Sequence, residues 1–494
     1  MVRKCLNGAP NVLCTSLRSK NEVKHWTVDP TFWPHTTHLV AKGDNDSLEE
    51  EVLKGTYGHV KVPPRVWECL KKEIDDAIAL HDITPLSFQE AWDTLNKQAS
   101  PGEPWADTFP TKQDFEDKGA LPELLEFCEA LEEEIISGQL PEDEWPIMAF
   151  KVHSKRDKYS TKKIKTKRFR SIQGLDVVLN LIMARWLAKF DETIYDRFPH
   201  IFVKNNPQTW CERITKGFAG LRTWGCDYTA FDKSIPENVV GDIVGFCMQR
   251  VGAPQNLCDF VARQVSQGPL VMPTGDIIHR TGSNPSGEYL TTIVNSFYNY
   301  MMIVDCFGEV LQVPPEEVKQ HMSFVITGDD ALLGSQELEL EKVEEATQLI
   351  SDKYCIATKL DLYHGELYPS DPGCHAPYLG QVSVGLDQET FVSVPFEPMR
   401  TLTRAVQAPM NDKPQDRALR MTGVRQAFAG YYVLRELSPS YPIPVPVNAF
   451  MDYFDDFYQA NPQLDWQGAL PIKQIVQQIV GVVEEGRVEQ RKIQ

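Results

Sequence analysis

Two apolar runs closing on Gly328-Asp329-Asp330, in the segment Met322 to Gly334 (MSFVITGDDALLG), constrain this chain more than any other feature. Apolar residues on both sides of a tight acidic turn read as a β-hairpin. Such a hairpin lifts two adjacent carboxylates to the tip of a rigid turn, where little besides a bound cation can neutralise them. Hard oxygen ligands of this kind suit Mg2+ or Mn2+. A lone Gly-Asp-Asp is often no more than a turn, so its meaning depends on what else the chain brings to it.

A second acidic unit precedes it. In LRTWGCDYTAFDKSIP, apolar and β-favouring residues lead into Asp227, and Asp232 follows five residues later. That odd spacing would put the two acids on opposite faces of a continuous strand. A strand that ends near Asp227 instead lets the chain turn back and bring Asp232 into the same cleft. Ser234-Ile235-Pro236-Glu237 then reads as a helix start, with Val239, Val240, Ile243, Val244, Cys247 and Met248 as the helix's buried stripe. Carboxylates carried on paired strands are the donor set that phosphoryl transfer uses to hold two cations roughly 3.5–4 Å apart.

Between the acidic units, Asn284-Pro285-Ser286-Gly287 marks a turn, and EYLTTIVNSFYNYMMIV after it reads as a long helix. Thr291 and Asn295 lie four apart and share one helical face. A glycine-containing loop opening onto this helix can admit a nucleic-acid backbone, and Asn295 offers both a donor and an acceptor to a sugar hydroxyl. The same residues would equally serve as a capped helix with ordinary polar positions.

The net charge of −19 argues against nucleic acid as a partner, until its distribution is considered. Between Lys151 and Arg170 stand ten basic residues against Asp157 alone. In an acidic chain such a block is either a solvated charge run or a phosphate-binding wall. The length of 494 residues predicts several subdomains around a cleft. Helices are expected over Val66 to Leu80, Leu121 to Ile136 (with Leu124, Leu125, Phe127, Cys128, Leu131 and Ile135 as a stripe), Val177 to Phe190 and Glu341 to Tyr354. A separate, mostly helical lobe follows Pro395, broken by the proline-rich Pro439 to Pro446. The 11 cysteines form no C-x-x-C pair and read as reduced and mostly buried. The sequence has no run of eighteen apolar residues and no basic-then-apolar leader, so the expectation is a cytosolic chain with no transmembrane segment.

The order DYTAFD, then SGEYLTTIVN, then TGDD resembles motifs A, B and C of viral RNA-dependent RNA polymerases of the picornavirus-like supergroup, whose picobirnavirus-, astrovirus- and picornavirus-like members all compare with it. The Ser-Gly-x-x-x-Thr-x-x-x-Asn spacing is the most specific element. Ser100-Pro101-Gly102-Glu103-Pro104 is similar to motif G, which lines the template entrance. The basic block is similar to motif F, with Arg170 and Arg168 in R-F-R-S-I and Lys155 and Lys158 matching triphosphate or template contacts. Lys359 resembles the motif D lysine that protonates leaving pyrophosphate, and Tyr378-Leu379-Gly380 with VSVGLDQETFVSVP resembles the motif E hairpin. Thr327 stands where relatives often carry an aromatic residue, and the flank of motif F is unusually rich in lysine.

The resemblance implies an α+β right-hand polymerase fold: fingers over 1–216 with motifs G and F, palm over 217–240, a fingers insertion over 241–281, palm over 282–385 and a helical thumb over 386–494. It implies two Mg2+ or Mn2+ ions held by Asp227, Asp329 and Asp330. It further implies ribose 2′-hydroxyl recognition by Asp232 and Asn295, with Thr291 supporting them and Ser286 and Gly287 moving against the template. RNA template, nascent RNA, NTPs and other viral replication proteins follow as partners, in host cytoplasm or virion, at replication complexes. A reverse transcriptase would share the palm acids, but the Asp232 and Asn295 pair argues against it. An RNA-binding protein with a decayed palm is disfavoured by the intact acids.

Overall fold

The computed structural model describes residues 13–14, 38–53, 60–79, 81, 83–155, 157–200, 214–218, 220–280, 282–287, 289–362, 377–385, 391–406, 422–460 and 462. Most of the opening stretch, Arg156, the turn of the expected motif E hairpin and the whole of the expected thumb beyond 462 lie outside the described residues.

The first half of the chain is helical, with two small sheets. Strands β1 (Leu13–Cys14) and β2 (His38–Lys42) lead into helix α1 (Asn45–Val52), followed by α2 (Pro64–Ile78), α3 (Phe88–Thr94) and α4 (Leu121–Ser137). The basic block holds β3 (Phe150–Ser154), β4 (Asp157–Ser160), α5 (Thr161–Lys165) and β5 (Ser171–Gly174), and is followed by the buried α6 (Val177–Arg197). β4 joins β2 and β1, whereas β3 joins β5. In α4 the buried line is Leu124, Cys128, Leu131 and Ile135. Phe127, expected on that stripe, is 49% exposed. It sits roughly 60° round the helix from that line, which takes it past the edge of the contact.

The second half supplies the central sheet. β6 (Arg222–Tyr228) precedes α7 (Glu237–Arg250), α8 (Gln255–Gln267) and the short strands β7 (Leu270–Val271) and β8 (Ile277–Ile278). Helix α9 (Thr291–Leu311), hairpin strands β9 (Ser323–Thr327) and β10 (Asp330–Ser335), helix α10 (Leu340–Tyr354) and β11 (Thr358–Leu362) follow. The sheet order is β11-β6-β10-β9, antiparallel throughout. One face buries Trp224, Cys226, Phe324, Ile326, Ala331 and Leu333 in the main core, where α9 packs against β9 and α10. The other carries Val325 and Leu332 against Ile214, Phe218 and Tyr378. All six residues of the predicted α7 stripe are buried.

β7 pairs parallel with β3, so residues between β6 and α9 return to the sheet of the basic block. A hairpin of β12 (Gln381–Gly385) and β13 (Phe391–Pro395) packs with α11 (Pro398–Val406), α12 (Ala429–Leu437) and α13 (Val445–Ala460) around a core of its own that includes Val394, Leu402, Phe428, Tyr432 and Phe450. The proline-rich break after Pro439 separates α12 from α13. The described cysteines are free, and all but the exposed Cys355 are buried. Among the described residues no helix is long and apolar enough to cross a membrane. The result is a mixed α+β fold with an antiparallel sheet flanked by helices.

Candidate active site

The carboxylates gather at one end of the central sheet because local turn chemistry places them there. Gly328 adopts φ +64, a conformation easy for glycine, and this lets β9 reverse directly into β10. Thr327 and Asp330 are then paired across the turn, with Asp329 at its tip. Next to it, β6 alternates: Trp224, Cys226 and Tyr228 are buried while Asp227 is exposed. The strand ends at Tyr228, and Ala230 turns in the left-handed region at φ 52, so the chain folds back through Phe231–Ser234. Asp232 is thereby half-buried in the cleft, its backbone carbonyl facing Asn284. Lys359 is the cross-strand partner of Asp227, on the same face of the sheet.

Helix α9 holds the acidic turn from behind. Ser296 Oγ accepts from Gly328 N–H at 2.8 Å and donates to Thr292 O at 2.6 Å. Asn299 Nδ2 donates to Gly328 O at 3.0 Å, and its Oδ1 accepts from the Tyr228 hydroxyl at 2.9 Å. Both backbone groups of Gly328 are therefore fixed by one helix, which is also tied to β6. Asp330 Oδ2 accepts from Leu379 N–H at 2.6 Å, and the hydroxyls of Thr327 and Tyr378 lie 2.5 Å apart. The unusual Thr327 has thus found a polar partner in the Tyr378-Leu379-Gly380 segment.

The loop before α9 is equally built in. Thr291 Oγ1 donates to Pro285 O at 2.8 Å and accepts from Gly287 N–H at 3.2 Å. Ser286 O accepts from Gln173 N–H at 2.8 Å, and Gly287, at φ +134, lies so close to β5 that an added Cβ would sit 2.7 Å from Gln173 O. Asn295 is buried, its Oδ1 accepting from Asn284 Nδ2 at 2.8 Å. The Ser100 to Pro104 loop docks at the start of α6, where Pro101 O accepts from Val177 N–H at 2.8 Å, and Lys151 pairs with Glu103 at 2.6 Å.

Electrostatics match this arrangement. Burial raises the carboxyl of Asp330 to about 6, and the charges of Asp329 and Asp227 add to the effect against the Leu379 hydrogen bond. Asp329 keeps solvent contact, yet the protein packed round its carboxyl still disfavours its charge, reinforced by Asp227 and opposed by its own backbone N–H and by Arg170. Asp232 is raised by burial and opposed by Lys233 and Arg170, while Asp329 and Glu51 add to the rise. Arg170 therefore acts on two of the acids. Lys163 is lowered by burial and by Arg170 and Arg400, while Asp227 pulls the other way, so it too belongs to the cleft wall. Arg168, also felt at Lys163, is exposed. Lys155 instead pairs with Asp157 at 3.8 Å, and Lys158 enters through its backbone pairing with Val40; its side chain lies outside the described residues.

Sequence reasoning missed Ser296, Asn299 and Asn284. The first two carried a signal: polar residues on a helix apolar almost all round must find buried partners. Buried Lys233 was also missed; it donates to Glu51 Oε1 at 2.6 Å. Among the described residues no three Asp, Glu, His or Cys side chains already sit in coordinating array. The donor set nevertheless fits hard cations: three carboxylates meet on one sheet end, where the charge of Asp227 raises Asp329 and the charges of both raise Asp330, so a positive ion would relieve them.

A profile of the family described as viral RNA-dependent RNA polymerase matches residues 47–380, most of the chain and all of the carboxylates above. The non-structural polyprotein 1AB of Turkey astrovirus 1 is similar too, 29% identical over 119 residues, which cover 22% of this chain and 7% of that polyprotein. The match therefore spans a small part of that relative's length. The antiparallel sheet, its clustered acids and the family profile agree: the chain belongs to the viral RNA-dependent RNA polymerase family.

Proposed function

We propose that the protein is an RNA-directed RNA polymerase that transfers ribonucleotides from NTPs to an RNA 3′-hydroxyl, replicating and transcribing a viral RNA genome. The observation that carries this reading is the convergence of Asp227, Asp329, Asp330 and Lys359 on one sheet end opposite Arg170. Asp227 and Asp329 hold two Mg2+ or Mn2+ ions, with Asp330 assisting from its tether to Leu379. When bound, such ions support the attacking hydroxyl and the leaving phosphate.

The chain's own residues do the rest. Arg170, Arg168, Lys155 and Lys158 offset the triphosphate charge. Lys359, beside Asp227, protonates the departing pyrophosphate. Asp232 and Asn295 read the ribose, Thr291 supports the loop, and Ser286 and Gly287 meet the template strand. In the right-hand layout, residues 1–216 form fingers running into palm, 217–240 palm, 241–281 a fingers insertion, 282–385 palm and 386–494 thumb. The return of β7 to the sheet of the basic block and the separate core around α11 to α13 support these divisions. Partners are template, nascent RNA and other viral replication proteins, at replication complexes in host cytoplasm or in the virion.

The test is UMP incorporation on poly(A) with an oligo(U) primer, with Mg2+ or Mn2+, for wild type, Asp329→Ala and Asp330→Ala. Metal-dependent elongation lost in the variants is the expected result. Preference for dNTPs would indicate a reverse transcriptase, and RNA binding without turnover under any metal or template would indicate a non-catalytic relative.

A further inference from the structure

Asn284, one residue ahead of the Pro285-Ser286-Gly287 turn and 1% exposed, touches both groups proposed to read the sugar. Its backbone N–H donates to Asp232 O at 2.6 Å. Its side-chain Nδ2 donates to Thr291 O at 3.0 Å and to Asn295 Oδ1 at 2.8 Å. The first of these side-chain contacts fixes the orientation of both amides. A backbone carbonyl accepts and never donates, so Asn284 must turn its NH2 to Thr291. The same NH2 meets Asn295, which must answer with its oxygen. What Asn295 has for another partner is then its own NH2, a donor. Asn295 also borders the acidic turn, since a Cβ added to Gly328 would lie 4.0 Å from Asn295 Cβ.

We infer that Asn284 is a specificity-positioning residue that sets the polarity of sugar recognition: by holding the oxygen of Asn295, it makes Asn295 a donor to the 2′ position, opposite Asp232 as acceptor. The inference rests on the proposed polymerase reading. A site with one donor and one acceptor calls for a 2′ group that accepts one hydrogen bond and donates another. A hydroxyl does both, fluorine accepts weakly, and hydrogen does neither. Asn284 also fixes the backbone of Asp232, so a single residue registers both readers. Its Oδ1 is buried with no hydrogen-bond partner among the described residues, a desolvation cost consistent with selection for placement over stability.

The test is primer extension by the full chain on an RNA template, measuring kcat/KM for UTP, 2′-fluoro-dUTP and dUTP with wild type, Asn284→Asp and Asn284→Ala, alongside thermal unfolding. Wild type is expected to rank hydroxyl above fluorine above hydrogen. Asp at position 284 has the shape of Asn but cannot donate, so it draws the NH2 of Asn295 to itself and turns the carbonyl of Asn295 to the sugar. The preference for UTP over dUTP should then fall about tenfold or more, and fluorine should lose its advantage over hydrogen. Asn284→Ala should fall between the two. If the Asp variant does not fold, the Ala variant and the wild-type comparison of fluorine with hydrogen decide. An unchanged UTP to dUTP ratio in folded variants, or a wild type that uses 2′-fluoro-dUTP no better than dUTP, overturns the inference. Equal loss of turnover with every nucleotide also overturns it, as the mark of a merely structural residue. Absence of wild-type turnover with all three removes the polymerase reading first, and is distinguished by that.

Discussion

Lys359 stands directly across the antiparallel β6–β11 pair from Asp227, so a cation and a carboxylate share one face at the end of the central sheet. Cross-strand partners sit roughly 4.5–5.5 Å apart at Cβ, close enough for Lys359 to serve the same reacting group that Asp227 is proposed to organise. Lys359→Ala should lower kcat for nucleotide incorporation by about 100-fold with KM little changed. Single-turnover rates against pH check this: the variant should lose the alkaline limb of the wild-type profile. A loss confined to KM would show that Lys359 only helps to bind substrate.

The acidic turn should depend on α9. Removing Ser296 Oγ or the Asn299 amide leaves one backbone group of Gly328 without its partner, costing about 1–3 kcal/mol each. Because the lost contacts aim Asp329, Ser296→Ala and Asn299→Ala should each cut kcat by about tenfold or more. Their effects should be coupled in a double-mutant cycle, since both hold the same residue. Steady-state kinetics with thermal unfolding measure both quantities.

Gly287 tests how closely the loop approaches β5. Gly287→Ala meets both an unfavourable φ and the Gln173 carbonyl, whereas Gly380→Ala, at φ +71 with open space around it, meets only the first. Gly380→Ala should cost about 1–2 kcal/mol. Gly287→Ala should cost more and should also slow elongation, and melting curves with extension assays compare the pair.

A pH effect is expected at the start of α6. Burial raises Asp176 to about 7, although it accepts from Val178 N–H at 2.7 Å and from Trp105 Nε1 at 3.4 Å. A carboxyl raised in the folded state binds its proton more tightly there than in the unfolded chain. Its contribution to stability is therefore present in acid and is lost as pH rises through about 7. Asp176→Asn keeps an acceptor oxygen and cannot ionise. Its melting temperature should gain on wild type between about pH 5 and about pH 8, by no more than about 4 kcal/mol in stability.

The acids and their strands were legible in the sequence because their placement is local. A glycine turn, an alternating strand and a helix start lie within a few residues of Asp227, Asp232 and Asp329, and the α7 stripe follows from period alone. What escaped was tertiary. Lys233 and Glu51 are 182 residues apart, and Thr327 and Tyr378 meet only once the hairpin is docked. The exposure of Phe127 depended on how wide a face α4 buries, which no pattern within α4 states. The pairing of Lys155, matched by resemblance to a triphosphate or template contact, with Asp157 at 3.8 Å is likewise a detail that no count of charges states.

Helix α9 carries Asn295 on one turn and Ser296 and Asn299 beside it, so the proposed sugar reader and the supports of the acidic turn ride on a single rigid rod. On that reading accuracy and speed are mechanically yoked through the rod: a substitution that tilts it shifts both. A laboratory seeking a polymerase for sugar-modified RNA would do better to leave the rod and the Ser286-Gly287 turn intact and vary Asn284 itself, which reaches Asn295 from outside the rod.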